Sequence, residues 1–177
     1  WNGHVPVIAL VLARHRGLVM RSAEHLSAQR VEFDLLPHPP AFSASRRARW
    51  LGTPGREVAR AVLLSGPDGQ LLAVLRSTHR VDLAALDRLW GGPVRLASLQ
   101  EAGERFRDCE GGGVPAFGHL YGLPVLLDDG IPADADIVFP IGSHHADVLL
   151  NCADYERLTG AFRLGFTRPQ TPGRAAL

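Results

Sequence analysis

Short stretches of apolar residues, one of them alternating with polar positions, predict several strands between residues 31 and 97. Residues 31–36 alternate with the period of two that is typical of a half-buried strand, and His38-Pro39-Pro40 should end it. Further strands are predicted at 58–64, 71–75 and 94–97. The turn residues Gly66-Pro67-Asp68-Gly69 join two of these runs and predict a hairpin.

Helices are predicted where a capping residue precedes a stretch with helical spacing. Residues 22–30 suit a short helix, and Ser43 should cap a second helix that continues to Trp50. Ser98 and Glu101 have the spacing of a capping box, and Asn151 should begin a last helix through Leu158. Asp82 should cap a helix that places on one face Leu83, Leu86, Leu89 and Trp90.

The order of these elements indicates the fold class. Strands and helices are mixed without a strict alternation, which favours an α+β fold with one mixed β-sheet flanked by helices over a doubly wound fold. A chain of 177 residues with 46% apolar and 21% charged residues suits one compact domain with a real core.

Charge and cysteine content limit the possible functions. All 19 basic residues are Arg, and the formal net charge of +1 is too small for a general nucleic-acid coat, so any RNA contact should be local. Cys109 and Cys152 lie far apart without a C-x-x-C pair, so we expect two reduced thiols, no metal site and no cofactor.

The two ends of the chain lie outside the predicted domain. The apolar run 5–12 is too short to span a bilayer, and no basic segment precedes it, so we expect neither membrane association nor export but a cytoplasmic protein. We interpret residues 1–20 as an extension that could add a strand. The Pro- and Gly-rich tail, residues 161–177, is expected to be loosely ordered.

The glycine loop 111–113 is the strongest candidate for chemistry. Glycine lets a ligand approach the main chain closely and use its N–H groups, although a flexible surface turn would have the same composition. The chain has no G-x-S-x-G sequence, no recognisable Ser-His-Asp set and no G-K-[ST] after the loop. His144 and His145, expected at a strand end, should point to opposite faces, so that one of them can line a site.

An ordered set of segments resembles the YbaK/EbsC family, the prolyl-tRNA-synthetase-associated editing domains. The set comprises 58–64, the turn 66–69, 71–75, 81–83, 94–97, the loop 111–118, 123–128 and 137–144. The resemblance covers about residues 22–160 and implies a YbaK-like domain at 21–160 that hydrolyses aminoacyl-tRNA esters. Two positions depart from the family: its lysine falls on Arg60, and the proline that closes its glycine loop falls on Ala116.

The resemblance also implies roles for individual residues. The catalytic positions would be Arg60, Gly112 and Gly113. The substrate-binding positions would be His38, Phe42, Ser43, Val114, Pro115, Phe117, Gly142, Ser143 and His144. Arg46, Arg47 and Arg49 could contact acceptor-stem phosphates, or could form an ordinary solvated helix face.

Two functions remain open at this point. The first is trans-editing, in which the protein removes a small misattached amino acid such as alanine from the acceptor end of tRNA, with an aminoacyl-tRNA synthetase as a further partner. The second is a catalytically silent module that binds an aminoacyl or nucleotide end. Arg60 separates them, because a guanidinium in place of the lysine is either a working replacement or a residue in an ion pair at a strand end.

Overall fold

The structure, a computed structural model, describes residues 20–170. The extension at residues 1–20, which was expected to add a strand, therefore lies outside the described residues apart from Met20, and so does the tail from residue 171 onward. None of the helices in residues 20–170 has the length and apolar composition that a transmembrane span requires.

The helices and strands predicted from the sequence all occur in the predicted order, together with further strands that were not predicted. The helices of the described region are α1 (Met20–Ala28), α2 (Ala44–Leu51), α3 (Leu83–Trp90), α4 (Leu99–Arg105) and α5 (Cys152–Thr159). Its strands are β1 (Phe33–Pro37), β2 (Ala59–Gly66), β3 (Gly69–Arg76), β4 (His79–Val81), β5 (Arg95–Leu96), β6 (Val125–Asp128), β7 (Asp136–Pro140), β8 (Ala146–Asn151), β9 (Phe162–Leu164) and β10 (Thr167–Pro169). Two short 3₁₀ turns lie at Gly55–Glu57 and Gly118–Tyr121.

The strands form one mixed sheet and two smaller antiparallel sheets. The mixed sheet has the order β5-β2-β3-β6-β9, in which β6 pairs in parallel with both β3 and β9. A second sheet has the order β1-β8-β7, and β10 pairs with β4. One hydrophobic cluster takes buried residues from both larger sheets, so they share a core. The predicted α+β class with a mixed sheet and flanking helices is confirmed.

The predicted helix caps are confirmed. The side-chain oxygens of Ser43, Asp82 and Asn151 each accept a hydrogen bond from a backbone N–H in the first turn of α2, α3 and α5. Ser98 and Glu101 make both bonds of the capping box. These bonds span at most three residues, which is why the sequence alone reveals them.

Two expectations about packing were wrong. The sequence predicted Leu89 on the same face of α3 as Leu86, but Leu89 is 55% exposed whereas Leu86 is fully buried. The chain after Gly160 is not loosely ordered over residues 162–169, because β9 and β10 pair with strands far away in the sequence. A side-chain bond adds to this order, since Thr167 Oγ1 donates to the Asp128 carboxylate over 3.0 Å.

Tyr155 links α5 to the chain that follows the glycine loop. Its ring is fully buried and stacks on Phe139 with a centroid distance of 4.0 Å. Its hydroxyl donates to the Ala116 carbonyl over 2.6 Å, so a polar contact inside the core fixes this part of the chain.

We expect Tyr155→Phe to lower the free energy of unfolding by about 1–3 kcal/mol, because it leaves the buried Ala116 carbonyl without that donor. Urea unfolding measures the change. Phe162→Leu is the control, since Phe162 is 64% exposed and its replacement should cost less than about 0.5 kcal/mol. Equal losses in the two variants would contradict a stabilising role for the buried hydroxyl.

Candidate functional site

A cavity of about 320 Å³ opens between the start of α2, strand β2, the glycine loop and the turn before β8. Its volume is at the small end of the range of small-molecule sites. Ten of the residues predicted for the site or for tRNA contact line it: Phe42, Ser43, Arg47, Arg60, Gly112, Gly113, Val114, Gly142, Ser143 and His144. The fold thus brings distant parts of the sequence together at one place.

The glycine loop is fastened to the turn at 142–144. The Glu110 N–H donates to the Gly142 carbonyl over 2.9 Å, and the Glu110 carboxylate accepts from the His144 N–H. A Cβ atom on Gly113 would lie 2.5 Å from the Gly142 oxygen, so the two chains approach too closely for any other residue at position 113. The cavity wall at Gly113 is therefore built from backbone.

The two glycines predicted as catalytic differ in what their N–H groups can do. The Gly113 N–H donates to the Glu110 carbonyl over 2.7 Å and is not available to a ligand. Within residues 20–170, the N–H groups of Gly112, Val114 and Ser143 make no hydrogen bond. These three residues line the cavity, so they are the candidate donors to a developing oxyanion.

His144 lies in the bend before β8 rather than within a strand. Its Nε2 is 3.0 Å from the Gly111 carbonyl, and its ring is 4.4 Å from the Phe42 ring, measured between centroids. Phe42 is 76% exposed, so this ring pair forms one edge of the cavity mouth.

Arg60 extends from β2 and lines the cavity. Its guanidinium makes no hydrogen bond or salt bridge to any described residue, so the alternative of an ion pair at the strand end is not observed. Partial burial and the nearby charge of Arg47 lower the pKa of Arg60. An arginine nevertheless stays protonated in proteins, so the cavity contains a cation that has no counter-charge in the part of the chain that the structure describes.

A buried charge cluster lies behind the cavity wall. The Asp147 carboxylate is completely buried and lies 3.0 Å from Arg47 Nε and 3.3 Å from His38 Nε2. These are ion-pair distances, although neither contact has the angles of a well-formed hydrogen bond. Burial alone would lower the pKa of His38. The Asp147 carboxylate and the Pro39 carbonyl raise this pKa by more than burial lowers it, so it lies above the ordinary value of 6.5.

Several predicted residues have other positions than expected. His38 is buried against Asp147 and does not line the cavity. Arg47 is also buried, whereas Arg46 and Arg49 are exposed on α2, so the three arginines do not form one outer surface. Phe117 is fully buried beside Tyr155, and Pro115 is buried too, so neither narrows the cavity.

Ser43 and Ala116 have local roles that the structure makes clear. Ser43 caps α2 and also lines the cavity, so its two predicted roles, helix cap and substrate contact, are compatible. The Ala116 N–H donates to the Pro140 carbonyl over 2.7 Å. A proline has no N–H and could not make this bond, so alanine holds the end of the loop in a different way.

Other chemistry has little support in the described residues. Burial raises the pKa of Cys109 and of Cys152 to about 11, so both thiols are protonated and weakly nucleophilic at neutral pH. No group of three or more possible metal ligands occurs in the part of the chain that the structure describes.

Four residues at or behind the cavity were not predicted from the sequence: Ser45, Ser77, Gln170 and Asp147. The first three line the cavity, but serine and glutamine at these places have no distinguishing pattern. Asp147 did have a signal, because a single acidic residue between apolar neighbours in β8 indicates a buried carboxylate that needs a partner.

Comparison with known proteins gives one family and several similar structures. Residues 38–158 match the model of the aminoacyl-tRNA editing domain. The crystal structure of a candidate trans-editing enzyme for prolyl tRNA synthetase has a TM-score of 0.73 and 25% sequence identity, and covers 85% of this chain and 96% of that chain. The search of curated proteins found no significant match.

Two further solved structures share the fold. A structure from computational design work, in which epitope backbones were grafted onto scaffold proteins, has a TM-score of 0.73, 23% identity, and coverage of 85% of this chain and 97% of that chain. A hypothetical protein has a TM-score of 0.71 and 23% identity, with coverage of 83% and 99%.

We expect Gly113→Ala to lower ligand binding or turnover by about 10²-fold, because its Cβ must push the loop away from Gly142 and misplace the cavity wall. Gly111→Ala is the matched control, since a Cβ there meets nothing within 4 Å. Titration calorimetry and a rate assay on both variants provide the comparison. Similar effects of the two substitutions would show that the close approach at Gly113 is unimportant.

The protonated form of His38 should stabilise the fold. Because its folded-state pKa is raised, this contribution is complete below the unfolded pKa of about 6.5 and is lost as the pH rises through the folded value. Urea unfolding from pH 6 upward should therefore show stability falling in wild type, and less steeply in His38→Gln. The same pH dependence in both proteins would contradict a charged His38.

Proposed function

Since the chain belongs to the aminoacyl-tRNA editing domain family, we propose that it hydrolyses the ester of a mischarged aminoacyl-tRNA, in trans, within the cavity beside Arg60. One observation carries this proposal. The cavity contains both the Arg60 guanidinium, which has no counter-charge among the described residues, and backbone N–H groups that make no hydrogen bond to those residues. Hydrolysis of an ester needs such donors because negative charge develops on the carbonyl oxygen.

An aminoacyl ester is already activated, so the protein needs to orient it and admit water more than to supply a strong base. In this proposal the N–H groups of Gly112, Val114 and Ser143 receive the carbonyl oxygen. Attack by water on the carbonyl carbon breaks the bond to the ribose oxygen. That oxygen takes up one proton of the water, the other proton passes to solvent, and the amino acid leaves as a free carboxylate.

Arg60 takes the position of the family's lysine. A guanidinium cannot release a proton at neutral pH, so Arg60 acts only as a hydrogen-bond donor to the ester or to the terminal ribose. Its lack of any partner in the described region supports this role, because a structural arginine would have an acceptor.

We further propose that the amino acid is small, such as alanine. The cavity of about 320 Å³ must also admit part of the terminal ribose, which leaves little volume for a side chain. Phe42 and Val114 restrict the cavity, whereas Phe117, which was predicted to bind substrate, is in the core. Exposed Arg46 and Arg49 on α2 are the proposed contacts to tRNA phosphates.

The experiment is a deacylation assay over a panel of mischarged tRNAs, with wild type, Arg60→Ala, Arg60→Lys and the control Arg88→Ala. We expect hydrolysis of at least one small aminoacyl ester, a loss of about 10²-fold or more in Arg60→Ala, and partial activity at best in Arg60→Lys. Arg88 is exposed on α3, away from the cavity lining, and its variant should retain the wild-type rate.

The alternative function predicts other results. A silent binding module would give no turnover above buffer hydrolysis with any tRNA, while still binding the aminoacyl end. If Arg60→Ala hydrolysed at the wild-type rate, Arg60 would have no part in catalysis.

A further inference from the structure

The candidate oxyanion donors come from two separate segments of the chain. Gly112 and Val114 belong to the glycine loop, and Ser143 belongs to the turn before β8. Donors on separate segments can serve one carbonyl oxygen only while the segments keep a fixed spacing, and a displacement of about 1 Å can cost about 10²-fold in rate. The contacts that hold the loop against the turn therefore bear on the reaction.

Packing does little to hold the tip of the glycine loop. A second cavity, of about 240 Å³, lies behind the loop, and Gly112 and Gly113 line both cavities. A Cβ atom on Gly111 or on Gly112 would meet nothing within 4 Å. A segment that borders empty space gains few dispersion contacts, so hydrogen bonds must keep it in place.

Glu110 makes three hydrogen bonds at the base of this loop. Its N–H donates to the Gly142 carbonyl over 2.9 Å, and its carbonyl accepts from the Gly113 N–H over 2.7 Å. Its carboxylate accepts from the His144 N–H. Any residue except proline could make the two main-chain bonds, whereas the third bond needs an acceptor on the side chain.

Glu110 thereby holds two consecutive peptide groups of the turn. In a trans peptide the carbonyl and the N–H point in opposite directions, so the bond to the Gly142 carbonyl directs the Ser143 N–H away from Glu110. The bond from the His144 N–H to the carboxylate fixes the next peptide group. The Ser143 N–H has no acceptor within residues 20–170, and Ser143 lines the main cavity.

We propose that Glu110 is a positioning residue that holds the Ser143 N–H toward the ligand through its two contacts with the turn. This role rests on the proposed function, because it assigns the Ser143 N–H to the developing oxyanion. Glu110 does not line the main cavity, so its carboxylate touches no substrate atom and takes up no proton in the reaction. It needs only to accept one hydrogen bond.

Steady-state deacylation by Glu110→Ala and Glu110→Gln tests this role. Glu110→Ala should lower kcat by about 10²-fold with little change in KM, because the misplaced donor acts mainly in the transition state. Glu110→Gln should lose only about three-fold, since an amide oxygen still accepts the bond but without the charge. The control is Glu104→Ala, because the exposed Glu104 carboxylate on α4 accepts only from Gln100 among the described residues, and it should keep the wild-type values.

The same variants separate positioning from other roles. If the carboxylate acted as a general base, Glu110→Gln would be as inactive as Glu110→Ala, and that result would overturn the proposal. A loss of activity in Glu110→Ala that only matches its unfolded fraction in thermal unfolding would overturn it as well. If Glu110→Ala does not fold, Glu110→Asp replaces it, because its carboxylate is one methylene shorter and should cause a similar loss in kcat.

NMR spectra of the ¹⁵N-labelled protein test the role without turnover. The His144 amide should exchange slowly with solvent in wild type and Glu110→Gln and faster in Glu110→Ala. Alanyl-adenosine with an amide in place of the ester should shift the Ser143 amide signal in the first two proteins and much less in Glu110→Ala. These shifts without any deacylation would reject the proposed hydrolysis but keep the positioning role, whereas equal Ser143 shifts in all three proteins would reject the positioning role even if the esters are hydrolysed.

Discussion

The buried carboxylate of Asp147 is the contact on which the cavity depends. Asp147 lies on β8, the middle strand of the sheet β1-β8-β7. Its partner His38 comes from the segment after β1, and its partner Arg47 comes from helix α2. A fully buried charge is costly unless it is paired, so these parts of the chain can pack together only with Arg47 and His38 in place. The same pairing fixes the N-terminal end of α2. Phe42 and Ser43, which directly precede this helix, are thereby held at the cavity mouth.

The departures from the family pattern at positions 60 and 116 both have a physical account. Ala116 uses its N–H to bond Pro140, and its carbonyl accepts from Tyr155, so the loop end is held by two hydrogen bonds instead of a proline ring. Arg60 has no acceptor among residues 20–170, which leaves its donors for a ligand. The cavity is thus organised around guanidinium groups, whose planar forks suit oxygen acceptors.

Local features of the sequence predicted more than distant ones. The caps at Ser43, Asp82 and Ser98 were predictable because each bond joins residues that are close in sequence. Strands β9 and β10 were missed because short strands are defined by partners elsewhere in the chain. The family resemblance located the cavity, but it could not distinguish Phe117, which faces the core, from Val114, which faces the cavity.

The central claim is that the aminoacyl end of tRNA binds between the glycine loop and Arg60. The most direct measurement is an NMR titration of the ¹⁵N-labelled protein with alanyl-adenosine in which a stable amide replaces the ester. The account predicts shifts of the backbone amide signals of Gly112, Val114 and Ser143, because these groups would receive the carbonyl oxygen. Shifts confined to a second cleft, which is lined by the acidic residues Glu32, Asp34, Asp136 and Asp154, would contradict it, and so would the absence of saturable shifts.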